Sequence, residues 1–428
     1  MNPQDIRTIH ARRVWDSRGR PTVEAEVTLH SGATGHAIVP AGASKGTREA
    51  LELRDATAAF GGLDVRRAVG HVNGEIARAL AGSSAADQAA LDRRLIELDG
   101  TPAKSRLGAN ATLAVSMATA HAMAASQRVP LYQYLGGADA TLLPMPQIQI
   151  FGGGAHAGRR VDIQDFMIVC PGARSFAEAL EWTAEVYRHA GLLMQQRGAL
   201  SGVADEGGWW PAFDTNEQAL ETLLAAIERA GYAPGTQVAI ALDIAASEFG
   251  RGGRYTLGLE ARELDSDGLI ELLLRWIDRY PIVSIEDPLG EDDADGFARF
   301  TQAAGGRVQI VGDDFLVSDA SLVRRAAASG AANAVLLKPN QRGTLSETLA
   351  AWQAAQAAGY AGIVSARSGE TEDTTIVHLA IGWQTGQLKV GSFARSERMA
   401  KWNEGLRIEE RLGARARYAG AGVFGRSR

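Results

Sequence analysis

Four side chains at matching places in a repeating pattern carry the chemistry of this sequence: Asp243, Glu286, Asp313 and Lys338. Each closes a short apolar run. VAIALD ends on Asp243, PIVSIED holds Glu286 and Asp287, VQIVGDD holds Asp313 and Asp314, and NAVLLKPN carries Lys338. The runs lack alternating polar residues, the pattern of a parallel strand buried on both faces. Helix-like segments such as SDGLIELLLRWIDRY and DASLVRRAAASG separate them. The acids therefore fall at the C-terminal ends of successive strands in a β–α repeat, and in a (β/α)8 barrel that is where side chains converge on the active site. Three carboxylates meeting there repel unless a cation neutralises them, and all-oxygen ligands suit a hard ion, Mg2+ above all. Any one of these acids reads equally well as a solvated loop residue or a helix N-cap. Four strand ends together point to a site.

Other candidates lie between the runs. GGGAHAGRRVDIQDFMIV places His156 in a glycine-rich loop ahead of a strand carrying Gln164 and Asp165. The glycines let backbone and ring approach a ligand. In GVADEGGWWPAF, Asp205 and Glu206 precede Trp209 and Trp210. A carboxylate beside aromatic walls can have a raised pKa and act as a general acid or base, although a capped turn over core tryptophans fits this segment as well. After Lys338 come Arg367, Arg395, Arg398 and Lys401, with Ser368 among them. Basic groups near a divalent-metal site suit an anionic substrate such as a phosphate ester. Arg395 and Arg398 are expected to make structural salt bridges instead.

Something must hold these groups in place. With 428 residues the chain is long enough for a barrel plus a smaller domain. Residues 5–40 carry β-branched runs separated by the turn signals SRGRP and SGATG, which predicts a β-meander. Ala41 to Gly46 is a small-residue loop with Ser44 and Lys45 as its polar tips, suited either to a linker or to a lid over the barrel mouth. Alanine and leucine at helical spacing fill residues 65–134. Glycine, alanine and proline in GGADATLLPMP break that pattern, which predicts an α+β capping domain over 1–139 and the barrel over 140–428. The chain ends in a loose basic tail.

The net charge of −6 argues against nucleic acid as the main partner. The single cysteine, Cys170, excludes an intramolecular disulfide and a cysteine-based zinc cluster, and a reducing, cytoplasmic setting is expected. The N-terminus has no apolar core of a secretory signal, and no run approaches the roughly 20 apolar residues of a membrane span.

Over residues 5 to about 413 the chain resembles the enolase family. The resemblance is carried by the shared order of DSRGRPTVEAEV, AGASKGTREALELRD, GANATLAVSMA, VDIQDFMI, ADEGG, LDIAASEF, YPIVSIEDP, VGDD, LLKPNQRGT, SARSGETED and GSFARSERMAKWNEGLRIEE. It implies a small N-terminal domain, a barrel whose first strands depart from simple alternation, and a homodimer or an octamer built from dimers. It also implies interconversion of 2-phosphoglycerate and phosphoenolpyruvate through an aci-carboxylate. Matched by motif, Asp243, Glu286 and Asp313 hold one Mg2+, and Ser44 contacts a second. Lys338 is the general base, which nearby cations must make neutral, since a free lysine has a pKa of about 10.4. The general acid is Glu206. Arg367 and Ser368 contact phosphate, Lys401 contacts the substrate carboxylate, and His156 and Gln164 lie around the leaving group.

The sequence departs from the family pattern at the site itself. Ala366 stands where histidine is usual, Asp165 where glutamate is usual, and Lys45 where threonine is usual. Gly152 replaces an asparagine, Arg342 a small or apolar residue, and Pro339 and Trp209 are unusual at their places. Lys45 and Arg342 add positive charge, and Ala366 leaves space. The set reads either as drift in a working enolase with its second metal in doubt, or as a pocket reshaped for a more anionic ligand. An example of the latter is a phosphonate such as carboxyphosphonoenolpyruvate. A non-catalytic binding protein is the third reading, and the intact acids and base argue against it.

Overall fold

The computed structural model describes residues 2–424. The last four residues of the basic tail lie outside the described residues.

The apolar runs form a closed eight-stranded barrel. Its strands are β4 (Met145–Gly152), β5 (Asp165–Val169), β6 (Ala239–Asp243), β7 (Ile282–Glu286), β8 (Gln309–Gly312), β9 (Ala334–Leu337), β10 (Ala361–Ser365) and β11 (Gln387–Ser392). From β6 round to β11, and from β11 to β4, neighbours pair in parallel. β5 is the exception, running antiparallel to both β4 and β6. This reversal places its first residue, Asp165, opposite Asp243, the last residue of β6. An acid at the start of one strand and acids at the ends of the others therefore meet at one rim.

Helices cover the outside, and their starts follow from side-chain caps. Ser175, Thr215, Asp265 and Thr344 each accept a hydrogen bond from the backbone N–H three residues on. The segment predicted helical from SDGLIELLLRWIDRY forms a helix over Ser266–Arg279, burying Leu269, Leu272, Leu273 and Trp276 along one stripe.

Ahead of the barrel, β1 (Ile6–Trp15), β2 (Pro21–Leu29) and β3 (Thr34–Ile38) form the expected antiparallel meander. The helix Ala109–Gln127 lies across it and is buried on almost every side. Its small residues let it approach closely. A Cβ on Gly35 would stand 2.6 Å from the His121 carbonyl carbon and would collide with the backbone of Ala118 and Ala122. Rigid backbone cannot yield as a side-chain tip can, so Gly35→Ala is expected to cost about 1–3 kcal/mol through overpacking. A urea titration showing an unchanged midpoint would refute this. The other face of the helix meets the barrel: Thr112 donates to the Gly343 carbonyl, and Ser116 accepts from the Leu345 N–H.

Candidate active site

At the rim, buried charges are arranged around lysines. The Lys389 ammonium, on β11, lies 2.8 Å from both Asp243 Oδ2 and Glu286 Oε2 and 3.2 Å from Asp165 Oδ2. Lys338, just past β9, donates to Asp313 Oδ2, whose other oxygen accepts from Gln341 Nε2 at 2.8 Å. Asp287 plays a different part. Its two oxygens accept the backbone N–H groups of Asp313 and Asp314, each at 2.8 Å, and so shape the turn that carries Asp313.

The electrostatics follow from burial and neighbours. Burial and the adjacent Asp243 push the Glu286 carboxyl well above the usual carboxylate range, against the pull of Lys389. Burial and the charges of Asp314 and Asp313 do the same for Asp287, and burial and Asp313 do so for Asp314. Burial also opposes charge on Asp313, but Lys338 outweighs it and holds this carboxyl low. Lys338 in turn is held above the usual lysine value, burial notwithstanding, because Asp313 faces it. In this arrangement Lys338 is an ammonium.

A second cluster lies beside the first. His156 Nδ1 is 3.2 Å from Asp165 Oδ1, and its Nε2 is 3.7 Å from Glu206 Oε1. Burial disfavours an imidazolium there, yet the carboxylates of Glu206 and Asp165 raise the ring's pKa, and Asp165 is held low by Lys389 and His156. Gln164 donates to Asp243 Oδ2 at 3.1 Å, tying the two clusters together.

The small-residue loop of the cap meets the barrel at Arg367 and Ser368. Ser368 Oγ accepts the Ala43 N–H at 2.7 Å, and Arg367 donates to the Ser44 carbonyl at 2.9 Å and to Glu49 at 3.1 Å. Gly42 is needed here because a side chain would run into the Arg367 guanidinium. One cavity is lined by Ser44, His156, Gln164, Asp165, Glu206, Asp243, Lys338, Ala366, Arg367, Ser368 and Lys389.

Several of the residues singled out in the sequence find their partners elsewhere. Lys401 does not line this cavity. It is buried against Glu370, at 2.9 Å, and the Thr371 carbonyl, at 2.8 Å. Beside Lys338, a second lysine that sequence reasoning misses, Lys389, reaches the acids. Its run, QLKVGS, carries a mid-strand lysine that sequence alone cannot distinguish from one reaching to solvent. Lys45 points away from the cavity: its side chain is 45% exposed and pairs with Glu52 at 2.6 Å. Arg342 pairs with Asp319 at 3.0 Å and Glu347 at 3.5 Å. Neither adds charge to the cavity. Trp209 stacks on Tyr187, donates to its carbonyl at 2.8 Å, and so pins the loop that carries Glu206 to the helix Phe176–Gln196. Arg398 is structural, donating to the carbonyls of Arg367, Val390 and Ser368, and Arg395 pairs with Glu397 at 2.9 Å.

The metal expectation can be tested against the donor atoms. Among the described residues, the groups whose ligand atoms converge within 4.8 Å are His156–Asp165–Glu206 and Asp287–Asp313–Asp314. Asp243 and Glu286 are bridged by Lys389. Even so, Asp243, Glu286 and Asp313 fit a hard cation. All three offer oxygen, and Glu286 Oε1 is buried without a hydrogen-bond partner.

Fold and site together define a barrel enzyme with a buried acid-and-lysine centre at its mouth, closed by an α+β cap. The sequence matches the enolase N-terminal domain over residues 6–135 and the enolase C-terminal TIM barrel domain over residues 140–426. It is 50% identical over 422 residues to Enolase 1 of Desulfitobacterium hafniense (strain Y51), covering 98% of this chain and 97% of that protein. The chain belongs to the enolase family.

Proposed function

We propose that the protein is a phosphopyruvate hydratase, a lyase that reversibly dehydrates 2-phosphoglycerate to phosphoenolpyruvate. The observation that carries this reading is that Lys338 and Glu206, a base and an acid, share one cavity with a carboxylate cluster in a chain so similar to an enolase. The α-proton passes to Lys338 Nζ when that amine is neutral, and Glu206 delivers a proton to the departing hydroxyl. When held by Asp243, Glu286 and Asp313, Mg2+ supplies positive charge for the substrate carboxylate and offsets the acids that keep Lys338 protonated. Arg367 and Ser368 take the phosphate, with Ser44 of the lid beside them and available to a second Mg2+. His156 and Gln164 border the leaving group. Lys401, which borders an adjoining pocket with Asn340 and Ser365, is the residue assigned to the substrate carboxylate, and Lys389 adds an ammonium beside Asp243 and Glu286. We place the division between cap and barrel at residue 139.

The substrate is thus a small phosphorylated acid. No helix among the described residues is long and apolar enough to cross a membrane, and we infer a cytoplasmic, glycolytic homodimer or octamer. The reading toward a more anionic phosphonate drew half its support from Lys45 and Arg342, which are both paired outside the cavity, so 2-phosphoglycerate is favoured.

The decisive experiment is a coupled assay of purified protein on 2-phosphoglycerate with Mg2+. Turnover at ordinary enzymatic rates is expected, and none at all would refute the reading. Lys45→Thr should change kcat/KM by less than about tenfold, since it is misplacement at the chemistry itself that costs around a hundredfold. A specificity switch in that variant would show that Lys45 enters the site.

A further inference from the structure

We propose that Gln149 is a positioning residue for the Asp165–His156–Glu206 cluster, and that its length is matched to the short carboxylate of Asp165. The inference rests on the enolase reading for what the cluster does.

Gln149 lies on β4 and is fully buried. Its Nε2 donates to Asp165 Oδ1, the same oxygen that faces His156 Nδ1 at 3.2 Å. Its Oε1 accepts the Gly208 N–H at 3.0 Å. The amide has only one workable orientation, because a carboxylate accepts and a backbone N–H donates. Gly208 belongs to the loop that carries Glu206. That loop is closed on itself by the Ala204 N–H to Gly208 carbonyl bond, at 2.8 Å, and is joined to the histidine loop by the Asp205 N–H to His156 carbonyl bond, at 3.1 Å. A single buried amide therefore holds both the carboxylate on one side of His156 and the loop bearing the acid on the other.

The space for this amide is made by two glycines. A Cβ at Gly152 would stand 3.0 Å from Gln149 Oε1 and 2.7 Å from Ala204 Cβ, and a Cβ at Gly208 would run into the same oxygen. Gly152 and Asp165 are also paired in register between β4 and β5. Two departures noted in the sequence thereby become one structure. Asp165 is a methylene shorter than glutamate, Gln149 reaches it, and Gly152 leaves room for the reach.

The test moves the methylene. Gln149→Asn shortens one partner and Asp165→Glu lengthens the other. Each single variant is expected to lower kcat on 2-phosphoglycerate by roughly a hundredfold with a smaller change in KM, as for a displacement near 1 Å at the chemistry. The double variant should recover most of that loss, which a merely structural role for Gln149 would not produce. Gln149→Met keeps the volume without the hydrogen bonds, and it should lose kcat while still unfolding cooperatively. Wild-type kcat in Gln149→Asn, or a double variant whose loss is the product of the two single losses, would overturn the proposal. The wild type, the two single variants and the double variant are also compared by urea unfolding, a readout that needs no substrate. Non-additive midpoint shifts support the pairing and additive ones overturn it. An inactive wild type would remove the functional reading alone, and the unfolding cycle would still decide the pairing.

Discussion

Lys338→Ala is expected to lower kcat on 2-phosphoglycerate by up to about 10^4-fold, the upper range for losing a positioned acid–base group, and to abolish exchange of the substrate α-proton with solvent. Lys338 is buried and directed at Asp313. Lys389, the other lysine of the cavity, is engaged by Asp243, Glu286 and Asp165, so it cannot take over without giving up those partners. The variant also has a signed effect on the metal. Removing an ammonium that competes for Asp313 should leave Mg2+ affinity unchanged or higher, as measured by calorimetry. Loss of catalysis with retained or tighter Mg2+ binding separates a missing base from a collapsed site. Proton exchange at the wild-type rate would show that Lys338 is not the base.

The parts of this architecture that were legible in the sequence are those where burial writes a pattern. Strands covered on both faces must be continuous apolar runs, so the positions of Asp243, Glu286, Asp313 and Lys338 at the rim could be read from where each run stops. Strand direction leaves no such mark. VDIQDFMIV reads identically whether β5 runs with its neighbours or against them, yet only the reversal brings Asp165 beside Asp243. Side-chain direction was equally hidden. Lys45 is adjacent to Ser44 in sequence, but Ser44 lines the cavity and Lys45 turns to Glu52. Lys389 was hidden for the opposite reason, because a lysine inside an apolar strand is most simply read as reaching out to solvent. The structure instead turns it inward, where three carboxylates offset the cost of burying its charge. The doubled acids of SIED and VGDD could not be sorted by spacing alone. Their roles divide by what each carboxylate faces, and Asp287 is committed to backbone N–H groups.

That division of labour sets the sign of the last expected result, the response of stability to pH, metal and Glu286→Gln. The Glu286 carboxyl is held well above the usual carboxylate range by burial and by Asp243. A group whose folded pKa is raised contributes stability that is fully present below its unfolded value, about 4.3, and is lost as pH rises through the folded value. Asp165 and Asp313 behave oppositely. Their pKa values are lowered, so their contribution is present above about 3.9 and is lost as pH falls. Glutamine at 286 removes the first effect and leaves the other two. In the presence of chelator, Glu286→Gln should therefore be more stable than wild type, and the gap should widen as pH rises from 5 toward 8. Adding Mg2+ should reverse the order. Wild type gains RT ln(1 + [Mg2+]/Kd), about 2.7 kcal/mol at a hundred times Kd, whereas the variant has lost a charged ligand and gains less. Urea midpoints across that pH range, with chelator and with Mg2+, measure all of these terms. If wild type were the more stable protein in chelator at pH 8, and Mg2+ shifted neither midpoint, then the Glu286 charge at the barrel mouth would not be what a cation is there to neutralise.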